Sequence, residues 1–323
     1  MSHIDEIRRT LSSGSYRHCR QLFLVACGGS LVDMYPARFL LETEAVMLRP
    51  FLYTANEFVH VPPKSLTERS LVIVCSHGGN TPEVVASACL AKQRQAKVIT
   101  LTHNTSASVA EYSDCHITYP WGDESRIVDQ PMAIILKLVV SVLEQVEGYE
   151  HSAAFRRAMA NIDSIVDKAC RQIRSRCFEF AKQYRQESLY YILSSGASFG
   201  HAYGLAICSL MEMQRLDASV VHSGEFFHGP LEITDEHRMF ILLKNVGKTR
   251  VLDERVERFL ERYARKYEVI DAQILGLGVI DTAVVDYFNP LLFYQISCEY
   301  RSALAISRHH PLETRRYMGL VDY

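Results

Sequence analysis

Three groups of residues have the types and spacing to do chemistry. The first is a pair of small-residue turns, Cys27-Gly28-Gly29-Ser30 and Ser76-His77-Gly78-Gly79-Asn80-Thr81, each directly after a short apolar run. Hydroxyls beside unhindered backbone amides suit an oxyanion, because glycine lets the anion come close to the N–H groups. Neither turn is G-x-G-x-x-G or G-x-x-x-x-G-K-[ST], so a dinucleotide or nucleoside triphosphate is not indicated. Ordinary strand-to-helix turns use the same residue types, which leaves phosphate binding and plain connection as equal readings. The second group centres on Glu212. A 3.6-residue period over Gly200 to Leu216 puts Leu205, Cys208 and Leu216 on its face, with Met211 and Met213 beside it. A carboxylate on an apolar stripe suits a general base; the competing assignment is a surface ion pair with Arg215 at i+3. The third is His222-Ser223-Gly224-Glu225-Phe226-Phe227-His228-Gly229-Pro230. Its His, Glu and His are spaced by three, as in some metal sites, but Gly229-Pro230 breaks the helix and further ligands at helical spacing are missing. Proton transfer by histidine is the better reading, and no metal is expected.

These residues need rigid elements to hold them. Gln21–Ala26, Ser70–Cys75, Lys97–Leu101 and Cys115–Tyr119 read as strands, and Leu31 to about Met47, Pro82–Gln93 and Pro131–Val146 as helices. Strands alternating with helices imply a parallel sheet covered on both faces. From His151 to Gln186 the pattern is helical and charged. The same grammar then returns, with Leu189–Leu193, Ala218–Val221, Met239–Leu243 and Tyr267–Asp271 as strands, and Gly200–Leu216, Thr249–Lys266 and Leu291–Ser307 as helices. At an offset of 168 residues Gly28 meets Gly196, Ser30 meets Ser198 and Tyr35 meets Tyr203, which favours a tandem duplication. In an open sheet of this kind ligands sit beyond the carboxyl ends of the strands, where both small-residue turns lie.

Composition narrows the function classes. With 48% apolar and 22% charged residues over 323 positions, the chain has the balance of a globular protein with a sizeable core. Lys and Arg total 35 against 37 Asp and Glu, without a basic run, so nucleic acid is not an expected partner. The apolar run Met132 to Leu143 is broken by Lys137 and falls short of the ~20 residues that cross a bilayer. The polar N-terminal residues Met1 to Thr10 lack the pattern of a secretory signal, and a cytoplasmic location is expected. Nine cysteines, an odd number without a C-x-x-C pair, read as buried thiols.

Val25-Ala26-Cys27-Gly28-Gly29-Ser30, Ser76 to Glu83, His222 to Pro230 and Thr314-Arg315-Arg316-Tyr317-Met318 together resemble the sugar isomerase (SIS) family, and within it the phospho-Amadori deglycases. The similarity runs over essentially the whole chain; the His222 to Pro230 stretch and the Arg-Arg-Tyr-Met tail are specific to this branch. The resemblance implies an α/β fold of two tandem SIS subdomains, each a five-stranded parallel sheet between helices. These would cover residues 1–150 and 188–308, with a helical connector at 151–187 and a tail at 309–323 near the active site. It also implies that Ser30, Ser76, His77 and Thr81 hold a sugar phosphate, that Glu212 is the general base, and that His228 is the acid or ring-opening residue. Gly29, Gly78, Asn80, Glu225 and Arg316 complete the candidate substrate-binding set. No cofactor is implied, and a homodimer with shared active sites is. Two departures stand out. Gly78 replaces a side chain often found in that loop, and the last lysine is Lys266, so the C-terminal lysine of the isomerising amidotransferases has no counterpart. The first leaves one phosphate donor absent or supplied by a backbone amide; the second puts an isomerising amidotransferase in doubt and favours a deglycase of sugar–amino acid conjugates, with an aminosugar-phosphate isomerase or deaminase and a non-catalytic phosphosugar sensor as the alternatives.

Overall fold

A computed structural model describes residues 16–122 and 125–322, and the N-terminal segment read above lies outside the described residues. The chain divides between Met159 and Ala160 into two compact units. The division falls inside one long helix, Ser152–Tyr184, which occupies most of the expected connector.

The first unit is built on a sheet of order β2-β1-β3-β4-β5, all parallel. Its strands are β1 (Gln21–Ala26), β2 (Arg49–Thr54), β3 (Ser70–Cys75), β4 (Lys97–Thr102) and β5 (Cys115–Thr118). β3 is buried at every position, as a central parallel strand covered on both faces must be. β2 is the strand that periodicity does not reveal. It lies at the sheet edge, is largely half-exposed, and contains Pro50, which an edge tolerates because one side of the strand needs no ladder bonds. The stretch Leu31 to Met47, expected as one helix, is instead a short α1 (Gly28–Val32) and α2 (Tyr35–Glu44). Next come α3 (Ala55–His60), α4 (Pro82–Gln93) and α5 (Pro131–Val146). Proline opens α4 and α5, where its missing N–H costs nothing.

The second unit, entered through α6 (Ser152–Tyr184), has the order β7-β6-β8-β9, again parallel. The strands are β6 (Leu189–Ser194), β7 (Asp217–His222), β8 (Met239–Lys244) and β9 (Lys266–Asp271). Among the described residues this sheet has four strands, which corrects the expectation of five in each half. Its helices are α7 (Phe199–Gly204), α8 (Arg250–Tyr263) and α9 (Asn289–Arg308).

The duplication is written into the register. β6 and β7 start 168 residues after β1 and β2 (189 against 21, 217 against 49), and β8 and β9 start 169 after β3 and β4 (239 against 70, 266 against 97). Gly28 and Gly196 both adopt left-handed backbone, with φ of 55° and 54°. At offset 168 the sequence Glu57-Phe58-Val59-His60 also meets Glu225-Phe226-Phe227-His228, and Glu44 meets Glu212. Phe58 and Phe226 are each buried in the core of their own unit.

Candidate active site

In the first unit, β3 delivers Ser76 to the mouth of the sheet, where it is 5% exposed. Its hydroxyl accepts from the Gly79 N–H at 3.1 Å and lies 3.1 Å from the Thr81 hydroxyl. Gly79 is required here: φ is +72°, and a Cβ would sit 2.2 Å from that of Ala107. Gly78, by contrast, faces open space. Thr81 precedes α4 without using its side chain as a cap, so its hydroxyl stays with Ser76 in front of the first turn of the helix, which is the positive end. Asn80 braces the loop by accepting from the Ser108 N–H at 2.9 Å. The exposed His77 ring stacks on His103 at 5.0 Å, meets the edge of Trp121, and bonds the Tyr119 hydroxyl at 3.2 Å. Partial desolvation and the adjacent His103 hold His77 below the usual imidazole value. On the facing turn, Gly29 is exposed and Ser30 half-buried. The Ser30 and Tyr119 hydroxyls bond the Cys75 thiol, which burial pushes up to about 12.

Asp33, at the end of α1, is a residue of this region that spacing does not single out. Desolvation pushes its carboxyl up to about 8, which favours the uncharged form and weakens its repulsion of an anion.

In the second unit Glu212 ends a π-helical stretch, Leu205–Glu212, that continues α7. A π-turn is wider than 3.6 residues, so the face assigned by α-helical spacing is rotated. Leu205 and Leu216 are buried as expected, whereas Cys208 and Glu212 are half-buried. Two corrections follow. The carboxylate is not enclosed, keeping 23% side-chain exposure, and its partner is Arg315 of the tail, at 2.8 Å, rather than Arg215. Arg215 is exposed, takes φ of 52° and terminates the helix.

The segment after β7 alternates fastened and free residues. The Ser223 hydroxyl donates to Asp253 at 2.6 Å, and Phe226 is 1% exposed among Phe227, Phe240 and Phe259. Glu225 and His228 are left exposed, tied by the His228 N–H donating to the Glu225 carbonyl at 2.9 Å. Such a loop presents a histidine to solvent on a rigid base, as proton transfer requires. Arg316 is exposed beside the Arg315 that engages Glu212. Among the described residues there is no group of three His, Cys, Asp or Glu placed to hold a metal ion.

Residues 15–146 match the SIS domain. Over 305 residues the chain is 38% identical to the fructosamine deglycase of Bacillus subtilis, covering 94% of this chain and 92% of that relative. The chain belongs to the SIS family, in its deglycase branch. A fructoselysine 6-phosphate deglycase from Shigella flexneri is a more distant member, 23% identical over 95% of this chain and 88% of its own length. A solved Salmonella typhimurium structure assigned to the phosphosugar isomerases superimposes with a TM-score of 0.97 at 39% identity, over 100% of this chain and 98% of that one. Members of this branch are enzymes, and so is this SIS protein. Among its described residues no helix is long and apolar enough to cross a membrane.

Proposed function

We propose that the protein releases the amino acid from a 6-phosphorylated sugar–amino acid conjugate of the fructosamine type, giving hexose 6-phosphate and free amino acid. The observation that carries this reading is the 38% identity to a fructosamine deglycase over nearly the whole of both chains. In support, the first unit offers an anion cradle of the Ser76 and Thr81 hydroxyls, the Ser30 turn and the start of α4, and the second offers an accessible carboxylate and histidine at Glu212 and His228.

In such a conjugate the amine is on C1 of a 2-ketose, so its release requires moving the carbonyl from C2 to C1. His228 assists ring opening. Glu212 removes a C1 proton, leaving an enaminol, and returning the proton to C2 gives the imine of hexose 6-phosphate. Water adds to that imine carbon and the C–N bond breaks, releasing the amine. Ser30, Ser76, His77 and Thr81, with the amides of Gly29 and Gly78, bind the phosphate, a remote group whose binding energy fixes the reacting carbon. Asn80 shapes that turn, and Glu225 and Arg316 contact the sugar or amino acid. A cytoplasmic homodimer with shared sites completes the reading.

The experiment is incubation with the 6-phosphates of fructoselysine, fructose-asparagine and glucoselysine, followed by identification of the sugar and amine formed. Free amino acid with hexose 6-phosphate is expected. Isomerisation without amine release would replace the reading with an aldose–ketose isomerase, and binding without any turnover would replace it with a sensor.

A further inference from the structure

Beside the Ser76 turn stands a second histidine, His103, which begins the loop after β4. Its backbone N–H donates to the His77 carbonyl at 3.0 Å. The same loop reaches the Gly78 carbonyl through the Asn104 side chain at 3.4 Å, the Gly79 carbonyl through the Val109 N–H at 3.1 Å, and the Asn80 side chain through the Ser108 N–H at 2.9 Å. The two loops are therefore cross-braced along four consecutive residues. Over this base the His77 and His103 rings are exposed and nearly parallel, 5.0 Å apart with 12° between their planes. Tyr119, which follows β5, fastens both of them. Its hydroxyl meets His77 Nδ1 at 3.2 Å, and its carbonyl meets His103 Nδ1 at 3.0 Å.

The second of these contacts fixes a tautomer. A carbonyl can only accept, so His103 Nδ1 carries a hydrogen, and the neutral ring presents a bare lone pair at Nε2. That nitrogen has no hydrogen-bond partner among the described residues. A lone pair repels a phosphoryl oxygen, and the contact turns attractive only when a proton lies between them in a charge-assisted hydrogen bond. The surroundings supply no countercharge of their own. His77 is held below the usual imidazole value by partial burial and by His103, and the Cys75 thiol, bonded to the Tyr119 hydroxyl, is pushed up to about 12 by burial. Asp33 of α1 acts on that thiol, and His116 on β5 is engaged by the Thr100 and Thr102 hydroxyls at 2.8 and 3.3 Å. Among the described residues no carboxylate pairs with either stacked ring, so the negative partner has to be a ligand.

We infer that His103 is a second imidazole ligand of the phosphoryl group, and that the cradle binds a phosphate dianion together with one proton, taken from solvent onto His103 Nε2. This rests on the reading of the Ser76 turn as the phosphate site. The proton returns to solvent when the hexose 6-phosphate leaves, so the cycle consumes none. A phosphate monoester is a dianion above its second pKa of about 6, and affinity falls at higher pH as the proton becomes harder to supply.

The test is titration calorimetry of the intact protein with glucose 6-phosphate at about pH 8, above the range in which imidazoles ordinarily carry charge. Repeating it in buffers of different ionisation enthalpy counts the protons bound. Uptake of about one proton is expected, with Kd rising about tenfold per pH unit above that point. His103→Phe keeps an aromatic ring on His77 but has no nitrogen; it should abolish the uptake, flatten the pH dependence and raise Kd about tenfold. His103→Gln, polar but unable to titrate, should lose the proton in the same way. Binding without proton uptake by the intact protein, or an unchanged uptake in both variants, overturns the inference. Ser76→Ala separates it from the phosphate reading, since this variant should bind more weakly yet still take up the proton. Weakening by Ser76→Ala but by neither His103 variant overturns the role of His103 alone; weakening by none of the three moves the phosphate elsewhere and overturns both.

Discussion

The same turn was built twice and used differently. Ser76 and Asn245 occupy equivalent places after β3 and β8, as do Val84 and Asp253 in the helices that follow. In the first unit the cradle is lined by hydroxyls and open glycines, with Val84 buried in the apolar core behind it. In the second, Asp253 is fully buried and accepts from Ser195 at 2.9 Å, from Ser223 at 2.6 Å, and from the backbone and side chain of Asn245 at 3.0 and 2.8 Å. Ser198 closes the set by donating to the side-chain amide oxygen of Asn245, Oδ1. A carboxylate of the chain itself thus takes the donors that an anion would need, and burial raises its pKa against their pull. Val84 stands in the first unit where Asp253 stands in the second, and there the carboxylate is a fastening, through Ser223, for the loop that carries His228. The Glu-Phe-x-His repeat diverges in the same way. In the first unit Thr54 caps the Glu57 N–H and the segment forms α3. In the second, Gly224 and the Gly229-Pro230 pair leave a sequence of turns that exposes His228.

The sharpest way to break this contrast is to change equivalent acids. Glu212→Gln should reduce kcat by about 10³-fold, within the range for loss of a general base, with KM little changed. Glu44→Gln, its repeat counterpart, should leave turnover nearly intact; equal losses would mean that the halves have not divided their roles. Removing the internal anion comes next. Asp253→Ala removes an acceptor shared by four buried donors and should cost about 3 kcal/mol in urea unfolding, with a lower kcat as the His228 loop loosens. Stability unchanged by this substitution would show that the second cradle is not held by its carboxylate. In the open cradle Ser76→Ala should raise KM about tenfold, and weaken inhibition by inorganic phosphate in parallel. A pH dependence is expected at Asp33. Its folded pKa, near 8, lies above the unfolded value, so the folded state binds the extra proton and stability falls as pH rises from about 4 to 8, then levels. Asp33→Asn should flatten that slope in melting temperatures measured across the same window.

Much of the scaffold was legible in the residues. β1, β3, α4 and α5 have the predicted limits, because central parallel strands and proline-opened helices leave strong local signals. The edge strand β2 was not, since half-exposure and Pro50 erase the apolar run that marks its neighbours. The repeat was visible at three positions, yet the pairs Glu44/Glu212 and His60/His228 stand at the same offset and gain meaning only once strand starts fix the register. Around Glu212, the apolar helix was readable and its geometry was not, because helix type depends on packing that α-helical spacing does not encode.

Sequence alone determined the parallel α/β architecture, the doubling and the small-residue turns, all of which follow from the near-neighbour rules of periodicity and backbone freedom. Only the tertiary structure decided that Asp253 gathers the hydroxyl and amide donors of the second turn, and that Arg315, 103 residues beyond Glu212, is the ionic partner of Glu212. Those contacts join residues far apart in the chain, and an ion pair or a buried hydrogen bond forms wherever folding brings the groups together, with no local pattern to announce it.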